Sequence, residues 1–292
     1  MSTADRAVLD ELAGIAGADL RNQITGVRQR HVTFTRLYIA GGVLALFVVA
    51  VILFLFLMKS ALARAVADRL PIAWEQQFGN ASMESVRKQM KIIEDPKWEA
   101  QLDVIRSKLL PGITNSLYPI QIHVAEASEL NAFAMPGGHI VVFTGLLKAV
   151  DHPEELAGVL AHEIAHISER HILRKMIESL GLVLVLQALF GDTSGLAAVA
   201  TQGSELLLQQ KFSRDFEREA DDVGFQYLVN AKINPKGMVD FFAKLEKYAQ
   251  KSGAPQLSLL ATHPPTTERI ERLEAKLSAL DKRSFPPLTA SP

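Results

Sequence analysis

The chain has 292 residues, no cysteine, and 31 lysines and arginines against 32 aspartates and glutamates, for a formal charge of −1. That length suits one sizeable core, or one domain with appendages. The missing cysteine excludes disulfides, thiolate nucleophiles and sulfur ligands, so a transition-metal site must draw on His, Asp and Glu; no basic block is present to neutralise a phosphate backbone, so nucleic acid is not an expected partner.

Residues 1–36 are polar and helix-compatible and are expected to form a short tail. Leu37 to Met58 then runs 22 residues without a charge, enough for the roughly 20 helical residues that a hydrocarbon layer needs. The run is longer than a signal-peptide core and no A-x-A site directly follows it, so one uncleaved membrane span is expected. Arg28, Arg30 and Arg36 on one side balance Lys59, Arg64 and Arg69 on the other, which leaves the orientation unset.

From Lys59 to about Asn80 the apolar spacing suits a helix leaving the membrane, and Asp95-Pro96 is expected to cap and start another that ends at Pro111-Gly112. Between Pro119 and Thr144, IQIHVA, NAFA and HIVVFT, the last behind the turn signal Pro136-Gly137-Gly138, predict three short strands. Helices follow to the end, so the expected class is α+β, mostly helical with a small sheet. The apolar run Leu180 to Phe190, bracketed by Glu178 and Asp192, is too short to span and is expected to be a buried or membrane-touching helix. No internal repeat is present, no helical-repeat tail is expected after Leu280, and residues 281–292 are expected to trail off.

The stretch VLAHEIAHISERH, Val159 to His171, carries the clearest chemical signal. Asp151 as N-cap with Glu154 three residues on predicts a helix start, and the helix is expected to run through His171. His162 and His166 then lie one turn apart on one face, so two imidazoles converge on one tetrahedral ion with Glu163 at the flank. A metal there lowers the pKa of water toward ~7, and Glu163 is the candidate to take the proton as water attacks a peptide carbonyl. A catalytic zinc needs a third protein ligand. His171 does not fit the HExxHxxGxxH spacing, because positions 169 and 172 are Glu169 and Ile172; it is expected to be an ordinary exposed residue. Downstream, FSRDFEREADDVGFQYL predicts a second helix from near Ser204, with Glu217 and Asp221 one turn apart and Glu219 about 200° away. Spacing alone leaves two readings: Glu217 as ligand with Asp221 accepting a ligand histidine's N–H, or a charged, solvated face.

Four stretches in order, NAFAMPGGHIVVFTGLL, the HEIAH helix, Glu217–Asp221 within EREADD, and THPPTTERI, resemble the HtpX-like and BepA-like membrane-associated zinc metallopeptidases, relatives of the CAAX prenyl proteases. The resemblance covers about Leu70 to Leu280. It implies a zincin-like, gluzincin-type domain over 59–280 behind a span at 37–58. One zinc ion per chain would be held by His162, His166 and Glu217, with Glu163 as base and Asp221 supporting a ligand. His263 and Arg269 match a late HP-x-x-x-x-R element that lines the cleft, contacts a substrate carbonyl or lets the histidine approach zinc as a plug. Asn131, Ala132, Phe133 and Ala134 would carry the cleft edge to which an extended peptide adds through main-chain hydrogen bonds. The implied function is cleavage of misfolded or misassembled polypeptides by a membrane-anchored metalloendopeptidase, in a bacterial inner membrane with the domain on the non-cytoplasmic side. The competing expectation is a non-proteolytic, zinc-containing scaffold that holds client proteins.

Overall fold

A computed structural model describes residues 3–15, 17–113, 117–179, 211–252, 259, 262–264, 266–280 and 285–288. The chain divides into two compact units, Met1–Lys59 and Ser60–Pro292.

In the first unit, the stretch expected as a tail is helical: α1 covers Thr3–Ile15, and α2, Ala18–Ala67, begins well before the apolar run and continues into the second unit. Within α2, Arg36–Phe54 has a mean hydropathy of 2.8 and none of it is buried. By length and composition this helix can cross a membrane.

The second unit starts with a correction. The helix expected over Lys59 to Asn80 is two helices, because α2 stops at Ala67 and Pro71 caps α3, Ile72–Gln89. Proline lacks an N–H donor and drives the preceding residue out of helical space. Helix α4, Pro96–Leu109, follows the expected signals: the Asp95 carboxylate accepts from the Lys97 N–H at 2.9 Å, and a 3₁₀ turn over Leu110–Gly112 ends it. Its buried residues Trp98, Leu102, Ile105 and Leu109 recur at helical spacing, which is why this face meets the core.

The three expected strands are present as β2 (Gln121–Ala125), β3 (Ala132–Ala134) and β4 (His139–Phe143). A fourth, β1 (Ile92–Ile93), gives the order β1-β2-β4-β3. Strands β2 and β4 are parallel, and the two outer pairs are antiparallel. The reversal into β4 uses Gly137 and Gly138 at φ 75° and 96°, values that side-chain-bearing residues rarely adopt. Met135 and Asn131 bond back to β4, so by strand alternation the main-chain groups of Ala132 and Ala134 point to the outer edge.

After the short helix α5 (Thr144–Ala149) come α6 (Pro153–Ser168), a helical stretch over 171–179, α7 (Arg214–Asn230), α8 (Lys236–Ser252) and α9 (Thr267–Ala279). Helix α6 is capped by His152, not Asp151; the Glu155 carboxylate instead accepts the Asp151 N–H at 3.0 Å. It also ends at Ser168, short of His171. Arg170 turns the chain in the left-handed region at φ 53°, and its guanidinium is held by Glu75 at 2.8 Å and the Leu70 carbonyl at 3.1 Å. Helix α7 begins at Arg214, where Ser213 accepts the Phe216 N–H, rather than near Ser204, since 211–213 is not helical. The stretches 180–190 and 204–210 lie outside the described residues.

Helix α6 runs through the middle of this unit. Leu156, Leu160 and Ile164 bury against Leu102, Ile140 and Phe241, and α7 and α8 lie against it. Gly224 of α7 sits so close to α6 that a Cβ there would lie 3.0 Å from the Ala161 carbonyl. Leu288, in the stretch expected to trail off, is buried and donates its N–H to Glu154 at 2.7 Å.

Candidate metal centre

Helical spacing places His162 and His166 on one face of α6, with their Nε2 atoms 3.1 Å apart. The close approach at Gly224 lets α7 bring Glu217 beside them, 3.6 Å from His162 Nε2 and 3.5 Å from His166 Nε2. The segment before α9 adds His263, whose Nδ1 is 2.8 Å from Glu217 Oε1 and 3.4 Å from His162 Nε2. One ligand atom from each of these four residues lies within 4.8 Å of all the others. All four are buried. Three imidazoles and one carboxylate aimed at a common point form a donor set that suits a divalent transition ion.

Burial works against charge on Glu217, but His263 and the hydrogen-bonded His162 and His166 hold its carboxyl well below the usual range. Burial pushes His166 well below the ordinary imidazole value, which keeps a lone pair available. His162 is pulled the other way: burial lowers it, yet Asp221 and Glu217 outweigh burial and raise it to about 9.

Asp221 lies 3.1 Å from His162 Nδ1, close enough for a charge contact although the angle is not that of a hydrogen bond. Arg269 is buried and faces carboxylates rather than open space. It binds Asp221 through two 2.7 Å contacts, Glu217 at 2.6 Å and the Pro264 carbonyl at 3.0 Å. Glu163 is 1% exposed. Its Oε2 accepts the Ala134 N–H at 2.9 Å, while Oε1 has no hydrogen-bond partner among the described residues and lies 3.8 Å from His263 Nε2. Burial raises its pKa. The edge residues Ala132, Phe133 and Ala134 are thereby brought to the centre through Glu163, and Asn131 beside them has a buried side-chain oxygen without a hydrogen bond.

Two features were not foreseen. His171, expected to be exposed, is fully buried, with Nδ1 3.0 Å from His166 Nδ1 and Nε2 3.0 Å from Glu219. Glu219 is outside the donor set, as its angle on α7 predicts, but it also binds Arg174 at 2.9 Å. Phe212 covers His166 and His263 at ring distances of 4.2 and 5.2 Å. No spacing signal pointed to it. A cavity of about 420 Å³ lined by Phe212, Glu217, Pro264 and Arg269 adjoins the cluster. A larger one of about 540 Å³ lies away from it, around the ion pairs of Lys244 with Asp151 and Glu155; of the two, the smaller is the chemically relevant one because it meets the donor set.

Residues 96–277, which contain every member of the cluster, match peptidase family M48. The chain belongs to peptidase family M48. This M48 chain is 31% identical over 235 residues to a putative beta-barrel assembly-enhancing protease of Vibrio cholerae, covering 76% of this chain and 47% of that protein. It is 31% identical over 180 residues to metalloprotease YcaL of Escherichia coli, covering 59% and 69%. With the mitochondrial metalloendopeptidase OMA1 of Bos taurus it shares 29% identity over 215 residues, covering 66% and 40%. The chain thus spans about half the length of the assembly-enhancing relatives it matches. The family and these names mark it as a metalloprotease.

Proposed function

We propose that this chain is a zinc-dependent metalloendopeptidase of zincin-like, gluzincin type, anchored by α2, that hydrolyses peptide bonds of unfolded or misassembled proteins. The observation that carries this reading is the buried convergence of His162, His166 and Glu217 with the Glu163 carboxylate at their side. These three residues would hold one zinc ion, which supplies Lewis acidity toward water and toward a peptide carbonyl.

The protein's own groups account for the rest. Glu163 takes the proton of the attacking water on Oε1, the oxygen without a partner, and passes it to the leaving amine, while Oε2 stays on the Ala134 N–H. Its raised pKa brings it nearer neutral pH, where a base can both accept and release a proton. Asp221 and Arg269 orient His162 and Glu217. An extended substrate adds to the outer edge of β3 at Asn131 to Ala134, and such pairing reads main chain rather than side chains. Polypeptide lacking stable structure fits that mode. His263 takes a fourth donor position that a catalytic centre leaves open, so in this arrangement it acts as a plug that substrate must displace.

A relative named for enhancing beta-barrel assembly supports action on misassembled proteins, and the apolar stretch of α2 supports the anchor. We place the catalytic unit on the non-cytoplasmic side of a bacterial inner membrane; a reporter fused after Pro292 tests that placement.

The test of the chemistry is Glu163→Gln. Loaded with zinc, the variant is expected to cleave an unfolded polypeptide about 10²- to 10⁴-fold more slowly than the parent, with metal content by elemental analysis unchanged. Cleavage at the parent rate would remove Glu163 as the base. Zinc-loaded parent protein that binds the polypeptide without cutting it would favour the scaffold.

A further inference from the structure

Behind His166, on the side away from the donor cluster, the chain builds a second row of polar contacts. His171 Nδ1 is 3.0 Å from His166 Nδ1, and His171 Nε2 is 3.0 Å from Glu219 Oε2. Glu219 is in turn held by Arg174 at 2.9 Å and by Arg64 at 3.0 Å. With guanidinium donors on two sides, the carboxylate accepts from the His171 ring as well.

His171 therefore donates from Nε2 to Glu219. Its Nδ1 is then an acceptor, and the group opposite is His166 Nδ1, which must donate. That assignment leaves His166 Nε2 without a proton, and Nε2 is the atom aimed at His162 and Glu217. With one proton on each ring, these contacts give His166 the tautomer that a metal requires.

Ring orientation is fixed as well. Phe216 stacks on His171 at 4.6 Å with an interplanar angle of 18°, and Arg174 lies over the Phe216 ring at 4.5 Å. The left-handed turn at Arg170 points His171 back toward α6 instead of continuing the helix. The helical stretch that carries it is packed through Leu173 and Ile177 against Ala63, Ala67, Leu70 and Trp74. Arg64, from the same end of α2, reaches Glu219 directly.

We propose that His171 is a positioning residue of the metal centre: with Glu219 it fixes the tautomer and ring angle of His166, so that Nε2 is presented to the ion. The inference rests on the metallopeptidase reading above and adds to it a His166–His171–Glu219 relay. A merely space-filling His171 would stabilise the fold but would leave metal affinity indifferent to which hydrogen-bonding atoms the side chain carries.

The experiment measures zinc affinity of the full chain in detergent by competition with a chromophoric chelator, beside the melting of the metal-free proteins. His171→Phe keeps an aromatic ring and loses both hydrogen bonds; its zinc dissociation constant is expected to rise roughly 10- to 100-fold. His171→Gln offers an amide oxygen toward His166 and an N–H toward Glu219, and is expected to stay within about threefold of the parent. Glu219→Ala leaves the His171 ring in place but removes its Nε2 partner, and is expected to weaken zinc binding roughly tenfold. Phenylalanine binding zinc as tightly as histidine, or glutamine binding as weakly as phenylalanine, would overturn the proposal. Should the phenylalanine variant not fold, unchanged affinity in Glu219→Ala overturns it alone. Parent protein that binds no zinc refutes the metal reading itself, an outcome separate from these.

Discussion

Two pairs of histidines lie at nearly the same separation in this protein and have opposite electrostatic surroundings. His162 and His166 approach to 3.1 Å on α6, and His123 and His139 approach to 3.1 Å across β2 and β4. The first pair is joined by Glu217 and backed by Asp221. The second is joined by the Asn80 amide oxygen, at 2.9 Å from His139, and the charges near it are Arg87 and Arg106. Burial, then His139 and the two arginines, holds His123 down to about 4, whereas Asp221 and Glu217 lift His162 to about 9 against its burial. Imidazoles at the same distance thus differ in how well their surroundings suit a cation. The decisive contribution is negative charge from a second helix, which favours a cation where the sheet pair, ringed by cations, repels one.

The sharpest way to break this contrast is to make the first pair resemble the second. Glu217→Gln keeps the shape and removes the charge, and is expected to lower zinc affinity by more than about 100-fold, beyond the loss from an outer contact, with hydrolysis of an unfolded polypeptide falling below detection. The converse change, His123→Gln, is expected to leave zinc stoichiometry and turnover as in the parent; a loss of metal there would show that the sheet pair also binds it.

A pH series sharpens the comparison further. The folded pKa of His123, about 4, lies below its ordinary value near 6.5, so between those values the unfolded chain binds a proton that the folded chain does not. Stability should therefore fall as pH drops from about 6.5 toward 4. His139, also lowered by burial, adds to the same slope. Urea unfolding at saturating zinc should show a flatter profile for His123→Gln than for the parent in that window. The smallest effect is expected from Asn80→Ala, which removes the partner of His139 and should cost about 0.5–1.5 kcal/mol of unfolding free energy without changing activity.

Much of the centre was legible in the sequence because it is local. His162, Glu163 and His166 follow from helical spacing alone, Asp95-Pro96 and Pro136-Gly137-Gly138 follow from capping and turn chemistry, and the strands over 121–143 follow from alternation in IQIHVA, the short apolar NAFA and the β-branched HIVVFT. Glu217 was ambiguous from spacing, since a carboxylate one turn from another fits a solvated face equally well; the resemblance across four stretches resolved its place. His171 was missed for a definite reason. On an unbroken helix it would point about 140° from His166, and only the turn at Arg170, stabilised by the distant Glu75, reverses that. Strand β1 has two residues and takes its form from pairing with β2, so it leaves no pattern of its own. Phe212 and the burial of Arg269 depend on where α7 and α9 pack.

The glycine at position 224 sets the tolerance of the whole centre. Because α7 meets α6 main chain against main chain at that point, the gap between the imidazoles and the Glu217 carboxylate is governed by two hydrogen-bonded helical backbones rather than by the rotamers of intervening side chains. Even one added methyl group there would act as a wedge, prising the carboxylate away from the two rings.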